Sequence, residues 1–187
     1  MTTPFKPYSV AVGLDKVNLG KFDSFLNELS ERFSRHGFSV KRGVRLDPYL
    51  LEIVAFASAY EVSKFGKMTR IVTVTSMDNV ATSDLVKNFS STAMKFCLDN
   101  RDSLLPRGFG GSLLSIPTIV SDGFPEEIKN WMGRNRAPRH WAAFEFPALV
   151  SIVDRQVYYY KKTPLWGAAY YGGFRKFVEE VLGFSQN

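Results

Sequence analysis

The sequence predicts an α/β fold: a mixed central β-sheet flanked by helices, closing with a C-terminal β-hairpin and a helix. Three observations predict it. Phe22, Phe25, Leu26, Leu29 and Phe33 recur at helical spacing. Arg70-Ile71-Val72-Thr73-Val74-Thr75 is a β-branched run suited to a strand. Helical and extended patterns then alternate to the end of the chain. The length of 187 residues lies somewhat above the commonest domain size of roughly 100–150 residues, and we expect one domain over residues 1–187.

The elements follow in order. Tyr8 to Leu14 reads as a first short extended segment. The helix over Phe22–Phe33 should stop at Gly37, a residue tolerant of the left-handed conformation that ends many helices. Phe38-Ser39-Val40-Lys41 and Val44-Arg45-Leu46 alternate apolar and polar, giving a strand interrupted at Gly43, and Asp47-Pro48 is a turn. The apolar run Tyr49–Tyr60 fits a buried strand or a helix, and the strand reading is favoured through Phe56. With the run at Arg70–Thr75 it should make an antiparallel hairpin.

Thr82 or Ser83 can cap a second helix whose stripe is Leu85, Phe89, Ala93, Phe96 and Cys97, ending near Asn100. Leu113–Val120 is a strand containing Pro117, which predicts an edge position because proline cannot donate to a ladder. Pro125 opens a short helix over Glu126–Met132. Phe146–Val153 and Gln156–Tyr160 flank an Asp154-Arg155 turn, and a final helix after Pro164 carries Phe174, Phe177, Val178, Val181 and Leu182.

Composition bounds the function. Cys97 is the single cysteine, so no internal disulfide forms, and with His36 and His140 alone no Cys/His zinc cluster can be built. A lone thiol suits a reducing compartment. Met1 to Lys6 has no apolar core of a signal peptide, and no stretch is long and apolar enough to span a membrane. A cytoplasmic protein is the expectation. The formal charge is +6, a balance that favours polyanionic partners. Between Arg134 and Lys162 stand six Lys/Arg against two acids, a formal +4 in a short segment.

That segment carries the leading functional reading. Arg134, Arg136 and Arg139 are followed by Trp141, and Tyr158-Tyr159-Tyr160 by Lys161 and Lys162. Cations meet phosphates and rings offer stacking faces, so the pattern suits nucleic acid. Strand alternation puts Tyr158 and Tyr160 on one face and Tyr159 on the other. The plainer alternative is a solvated basic surface around an aromatic core. Arg107-Gly108-Phe109-Gly110-Gly111 could hold an anion through Arg107 and the amides of Gly108, Gly110 and Gly111. It follows a helix and precedes a strand, however, unlike a dinucleotide loop, and a tight connection is the alternative. Trp166, Tyr170, Tyr171 and Phe174, set among small residues, could anchor a second copy of the chain or pack on its own sheet.

For chemistry the candidates are Glu52, His140 and Glu145. There is no Gly-x-Ser-x-Gly elbow, and Cys97 lies on an apolar helix stripe where a thiol is inert. His140 sits in a Pro-containing basic turn with Glu145 close in sequence. As a base it requires a partner that sequence does not locate.

The order helix, three strands, helix, strand over about residues 19–121 resembles the core of the restriction-endonuclease-like, or PD-(D/E)XK, family. The resemblance is one of topology. It implies Mg²⁺ held by an acid on the second core strand, where Glu52 stands, and by an acid-x-lysine triplet on the third. The third strand here carries Thr73-Val74-Thr75 instead, so the catalytic motif is not intact. Mg²⁺ is expected only if that nuclease reading holds; the sequence names no other cofactor, leaving it unknown, and no metal site is assigned. The expectation is therefore a non-catalytic binding module that contacts nucleic acid or another polyanion through Arg134, Arg136, Arg139, Trp141, Lys161 and Lys162. The alternatives are a metal-dependent phosphodiester enzyme and a self-associating structural subunit.

Overall fold

The computed structural model describes residues 16–61, 66–77, 82–101, 111–141, 143–164 and 168–184. The expected segment Tyr8–Leu14 lies outside them, as do Arg107, Gly108, Gly110 and Trp166. Gly111 opens a strand instead of closing a loop.

The first apolar stripe forms helix α1 (Lys16–Arg35), with Phe25, Leu26, Leu29 and Phe33 buried. It ends in a Schellman arrangement. Gly37 takes φ +77°, its N–H donates to Ser34 O, and the Phe38 N–H donates to Phe33 O. The Phe33 and Phe38 rings lie 5.6 Å apart, completing the apolar contact of that motif.

Strand β1 (Ser39–Leu46) and strand β2 (Tyr49–Glu61) pair antiparallel around the two-residue Asp47-Pro48 turn, with Leu46 opposite Tyr49. Gly43, at φ +66°, interrupts the pairing without shifting it: Arg42 faces Ile53 and Val44 faces Leu51. The ambiguous run is therefore strand throughout, and longer than the half expected. Its second half is held by strand β3 (Gly66–Ser76), whose antiparallel ladder with β2 continues to the Glu61–Gly66 pair.

Thr82 caps helix α2 (Ser83–Asp99), accepting from the Leu85 N–H at 3.4 Å. Beyond α2 the chain returns as strand β4 (Gly111–Ser121), parallel to β3 along its length. The edge position expected from Pro117 is corrected, since β4 is interior. Its far side pairs first with strand β6 (Ala143–Glu145) and then with strand β7 (Ala148–Ser151), both parallel. Ser115 O accepts from Phe146 N and Ser121 O accepts from Ile152 N. By two-residue alternation Pro117 faces that same side, between the β6 pairs ending at Ser115 and the β7 pairs beginning at Thr118. The proline stands where the ladder changes partner, so its missing donor leaves no regular bond unmade. The strand expected over Phe146–Val153 is β7 alone, Ala148–Ser151, shorter at both ends, and Phe146-Pro147 separates it from β6, which lies ahead of the expected range.

Helix α3 (Glu126–Arg134) precedes strand β5 (Arg139–His140), which forms a tight hairpin with β6. Strand β8 (Gln156–Tyr159) pairs antiparallel with β7, and helix α4 (Ala168–Leu182) closes the chain. One mixed sheet results, ordered β1-β2-β3-β4 and continued past β4 by β6-β5 at one end and β7-β8 at the other.

The tyrosine alternation reveals the layers. Tyr158 meets Phe124 and Tyr160 meets Trp131 of α3, whereas Tyr159 meets Glu179 of α4. Thus α3 and α4 cover opposite faces. Lys87 of α2 lies over the Trp131 ring at 5.6 Å, joining α2 to α3. Arg32 of α1 joins α4, donating through Nη1 to Val181 O at 3.2 Å and to Gly183 O. It thereby caps carbonyls that the helix end leaves free. Among the described residues no helix is long and apolar enough to cross a membrane.

Two substitutions test this packing by chemical denaturation. Phe146 is fully buried between β6 and β7; Phe146→Ala should cost about 3–5 kcal/mol. Gly37→Ala should cost about 1–2 kcal/mol by forcing a Cβ into the left-handed conformation. An unchanged midpoint for either would contradict the packing described.

Candidate functional site

Two places bring polar residues together. The first is a groove of about 420 Å³ between α3 and β8. Lys129 and Arg134 line it from α3, and Tyr158, Tyr159 and Lys161 from β8 and the residues after it, with Glu126 at one side. The helix runs two residues beyond the expected Met132, so Arg134 is its last residue. A backbone bridge between Arg136 and Lys162 ties the segments following α3 and β8 together.

The charges of the groove are not equivalent. Lys129 Nζ lies 2.9 Å from Asp154 and 3.0 Å from Glu126. Those two carboxylates, Asp154 first, raise the lysine above its ordinary range, and Lys129 chiefly holds Asp154 below the usual carboxylate range. Arg134, Arg136, Lys161 and Lys162 are exposed. Among the described residues they have no acidic partner within 4.0 Å. Tyr159 donates to Glu179, and burial followed by that carboxylate pushes its hydroxyl up to about 12. Arg139 opens β5. Trp141 stands 70% exposed in the β5–β6 turn, outside the groove lining.

The second place is a buried carboxylate. In the β5–β6 hairpin His140 faces Ala143, and Glu145 is two residues on. All three side chains therefore share one sheet face. The structure supplies the partner missing from the sequence reading: His140 Nε2 lies 2.6 Å from Glu145 Oε2. The other oxygen accepts from the Ser90 hydroxyl of α2. Ser115, opposite Glu145 on β4, donates to Cys97 Sγ at 3.3 Å. Glu145 is 2% exposed, and the His140 side chain is about one-third exposed (33%). Burial pushes the Cys97 thiol up to about 12, the Ser115 bond opposing and the Glu145 charge adding to the shift. Burial, and then Glu145, also raises the Tyr160 hydroxyl.

Sequence reasoning named His140 and Glu145 but not Ser90. The signal was present: Ser90 is a hydroxyl on the stripe Val86, Phe89, Ala93, Met94, Cys97, where an apolar residue belongs. Lys129 was likewise unnamed, because its partner Asp154 is brought to it only by the β7–β8 turn.

The remaining candidates stand apart. Glu52 lies half-buried on β2 and accepts from Ser76 Oγ at 3.2 Å. Among the described residues no group of three or more His, Cys, Asp and Glu side chains could hold a metal ion. Thr73 and Thr75 are buried, the latter donating to Leu50 O at 2.8 Å. On α4, Tyr171 and Phe174 are buried against Phe144 and Phe146, and Tyr170 stacks on Phe174 and meets Phe144. These rings pack on their own sheet, the alternative to an intersubunit anchor. Comparison of the chain with models of protein families, with curated proteins and with solved structures gives no match.

The electrostatics yield two expected outcomes. Cys97 should resist a thiol reagent such as DTNB in the folded protein and react stoichiometrically in denaturant; equal rates in both states would contradict its burial. For the Lys129–Asp154 pair the sign follows from the shifts. Asp154, lowered on folding, contributes stability above the carboxylate range and loses it as pH falls through its folded value. Lys129, raised on folding, loses its share only as pH rises through the lysine range. The contribution is therefore present across neutral pH. Asp154→Asn should flatten the acid limb of stability against pH, and an unchanged limb would remove the pair from the account.

Proposed function

We propose that this chain is a binding module that holds the backbone of a nucleic acid along the groove between α3 and β8. The observation that carries this reading is the meeting of Arg134 and Lys161 at one groove, with Arg136 and Lys162 bridged beside it and none of the four ion-paired among the described residues. Cations whose charge is not spent inside the protein can release counterions from a phosphate chain, which is the main source of such affinity. Binding rests on these cations and not on stacking, since Lys129 Nζ lies over the Tyr158 ring at 5.4 Å and Tyr159 turns to Glu179 of α4.

The chain order supports a nucleic-acid-directed scaffold. Helix α1, the antiparallel β1-β2-β3, helix α2 and the parallel β4 follow one another as a restriction-endonuclease-like core would. On the third strand Thr73 and Thr75 are interior side chains, and Glu52 pairs with a serine. These surroundings favour binding without metal-dependent cleavage.

A fluorescein-labelled single-stranded oligonucleotide, followed by anisotropy at increasing NaCl, tests the reading. Log affinity should fall linearly with log salt. Replacing Arg134 and Lys161 by Ala should weaken binding for every sequence and flatten the salt slope by about 0.7 for each cation removed. Absence of binding at low salt, or binding indifferent to both substitutions, overturns it.

A further inference from the structure

We propose that His140 and Glu145 form a proton-transfer site in which Nδ1 of His140 accepts the proton of a hydroxyl group, from water or an alcohol. This site is separate from the groove reading and does not depend on it. The Glu145 side chain is only 3% exposed. A carboxylate in such surroundings costs several kcal/mol unless donors answer it. Two do: the Ser90 hydroxyl at one oxygen and His140 Nε2 at the other, 2.6 Å away. In the proposed arrangement the carboxylate accepts both bonds, Nε2 is the donor and the lone pair of the imidazole lies on Nδ1.

That tautomer has a chemical consequence. Among the described residues Nδ1 has no hydrogen-bond partner, while the side chain is one-third exposed (33%). A donor needed only to satisfy Glu145 would not require a second, reactive nitrogen or access to solvent. When Nδ1 takes a proton, the imidazolium that forms is already paired with Glu145, so the new charge is stabilised without rearrangement. Ser90, on rigid α2, fixes the carboxylate from the opposite side, and Tyr160 and Cys97 are the other titratable groups that feel its charge. Glu145 is thus a positioning residue and His140 the base.

The chain contains a matched control. His36 has a side chain equally exposed, at 35%, but its nearest carboxylate oxygen, on Glu180, is 4.0 Å away, beyond hydrogen-bond distance. Exposure is shared and orientation is not.

The test uses the full chain and p-nitrophenyl acetate hydrolysis read in ordinary and in heavy water, because an imidazole also attacks this ester directly. Slowing in heavy water marks basic activation of water, and an unchanged rate with an acetylated histidine overturns it. A water O–H bond breaks, its proton goes to Nδ1, and the oxygen bonds the ester carbonyl carbon. The bond to p-nitrophenolate then breaks, acetic acid is released, and Nδ1 returns its proton to solvent. His140→Gln should abolish most of the protein-dependent rate, His36→Gln should leave it, and Glu145→Gln should lower it by about tenfold or more, as loss of the carboxylate that orients a histidine base does. Long-range ¹⁵N–¹H spectra of the unsubstituted protein should place the proton of neutral His140 on Nε2, a result that requires no variant to fold. A proton on Nδ1, a rate no greater than buffer, or equal losses from the two histidine substitutions overturns the proposal.

Discussion

Strand β4 is the constraint on which the rest of the structure depends. Residues 113–121 are all buried, and the strand has a partner on each side along most of its length. On one side β3 joins it in parallel, an arrangement that requires the α2 crossover. On the other side two short strands share it, and the change of partner coincides with Pro117. A continuous second neighbour would ask that residue for a donor it lacks. The break is therefore compatible with, and partly imposed by, the chemistry of one residue. It lets the sheet divide into the β6-β5 and β7-β8 hairpins, and each hairpin presents one of the two polar sites.

The two sites contrast in how charge is held. Glu145 is carried inside by β6 and answered at once by a hydroxyl from α2 and an imidazole from β5. Removing either donor would leave a buried acceptor underbonded, a loss on the order of 1–3 kcal/mol. The cluster thereby fastens the helix layer to the short hairpin, which has only a two-residue outer strand of its own. In the groove, by contrast, Arg134 and Lys161 remain in water, where a surface ion pair would have contributed little. Stability does not demand the grouping of these cations, and this makes the groove more informative about binding than about folding.

Much of this was legible in the sequence because it depends on neighbours along the chain. The α1 stripe, the Gly37 stop, the Thr82 cap, the Asp47-Pro48 turn and the alternation of Tyr158, Tyr159 and Tyr160 all rest on interactions within a few residues. What was not legible depends on pairing across the chain. The second half of β2 is a strand because β3 lies beside it, and Pro117 is interior because β4 exchanges partners there. Ser90 matters because Glu145, 55 residues later, meets it. The candidate pair His140 and Glu145 was accessible as a local proximity, but its geometry required the β5–β6 register.

The charge count along the C-terminal third illustrates how folding reinterprets a sum. Six cations against two acids give a formal +4 for residues 134–162, as though each acid cancelled a neighbouring base. In the fold neither acid does so. Glu145 is withdrawn from the surface and answered by Ser90 and His140. Asp154 is answered by Lys129, which precedes the segment and gives up its own charge to do it. Arg155 is also set apart, lying over the Phe184 ring at 5.1 Å. Arg134, Arg136, Lys161 and Lys162 are thus left without the counter-charges that the sequence sets among them. The groove is not free of acid, however: Lys129 faces both Asp154 and Glu126, so one negative charge of that cluster stays beside the cations.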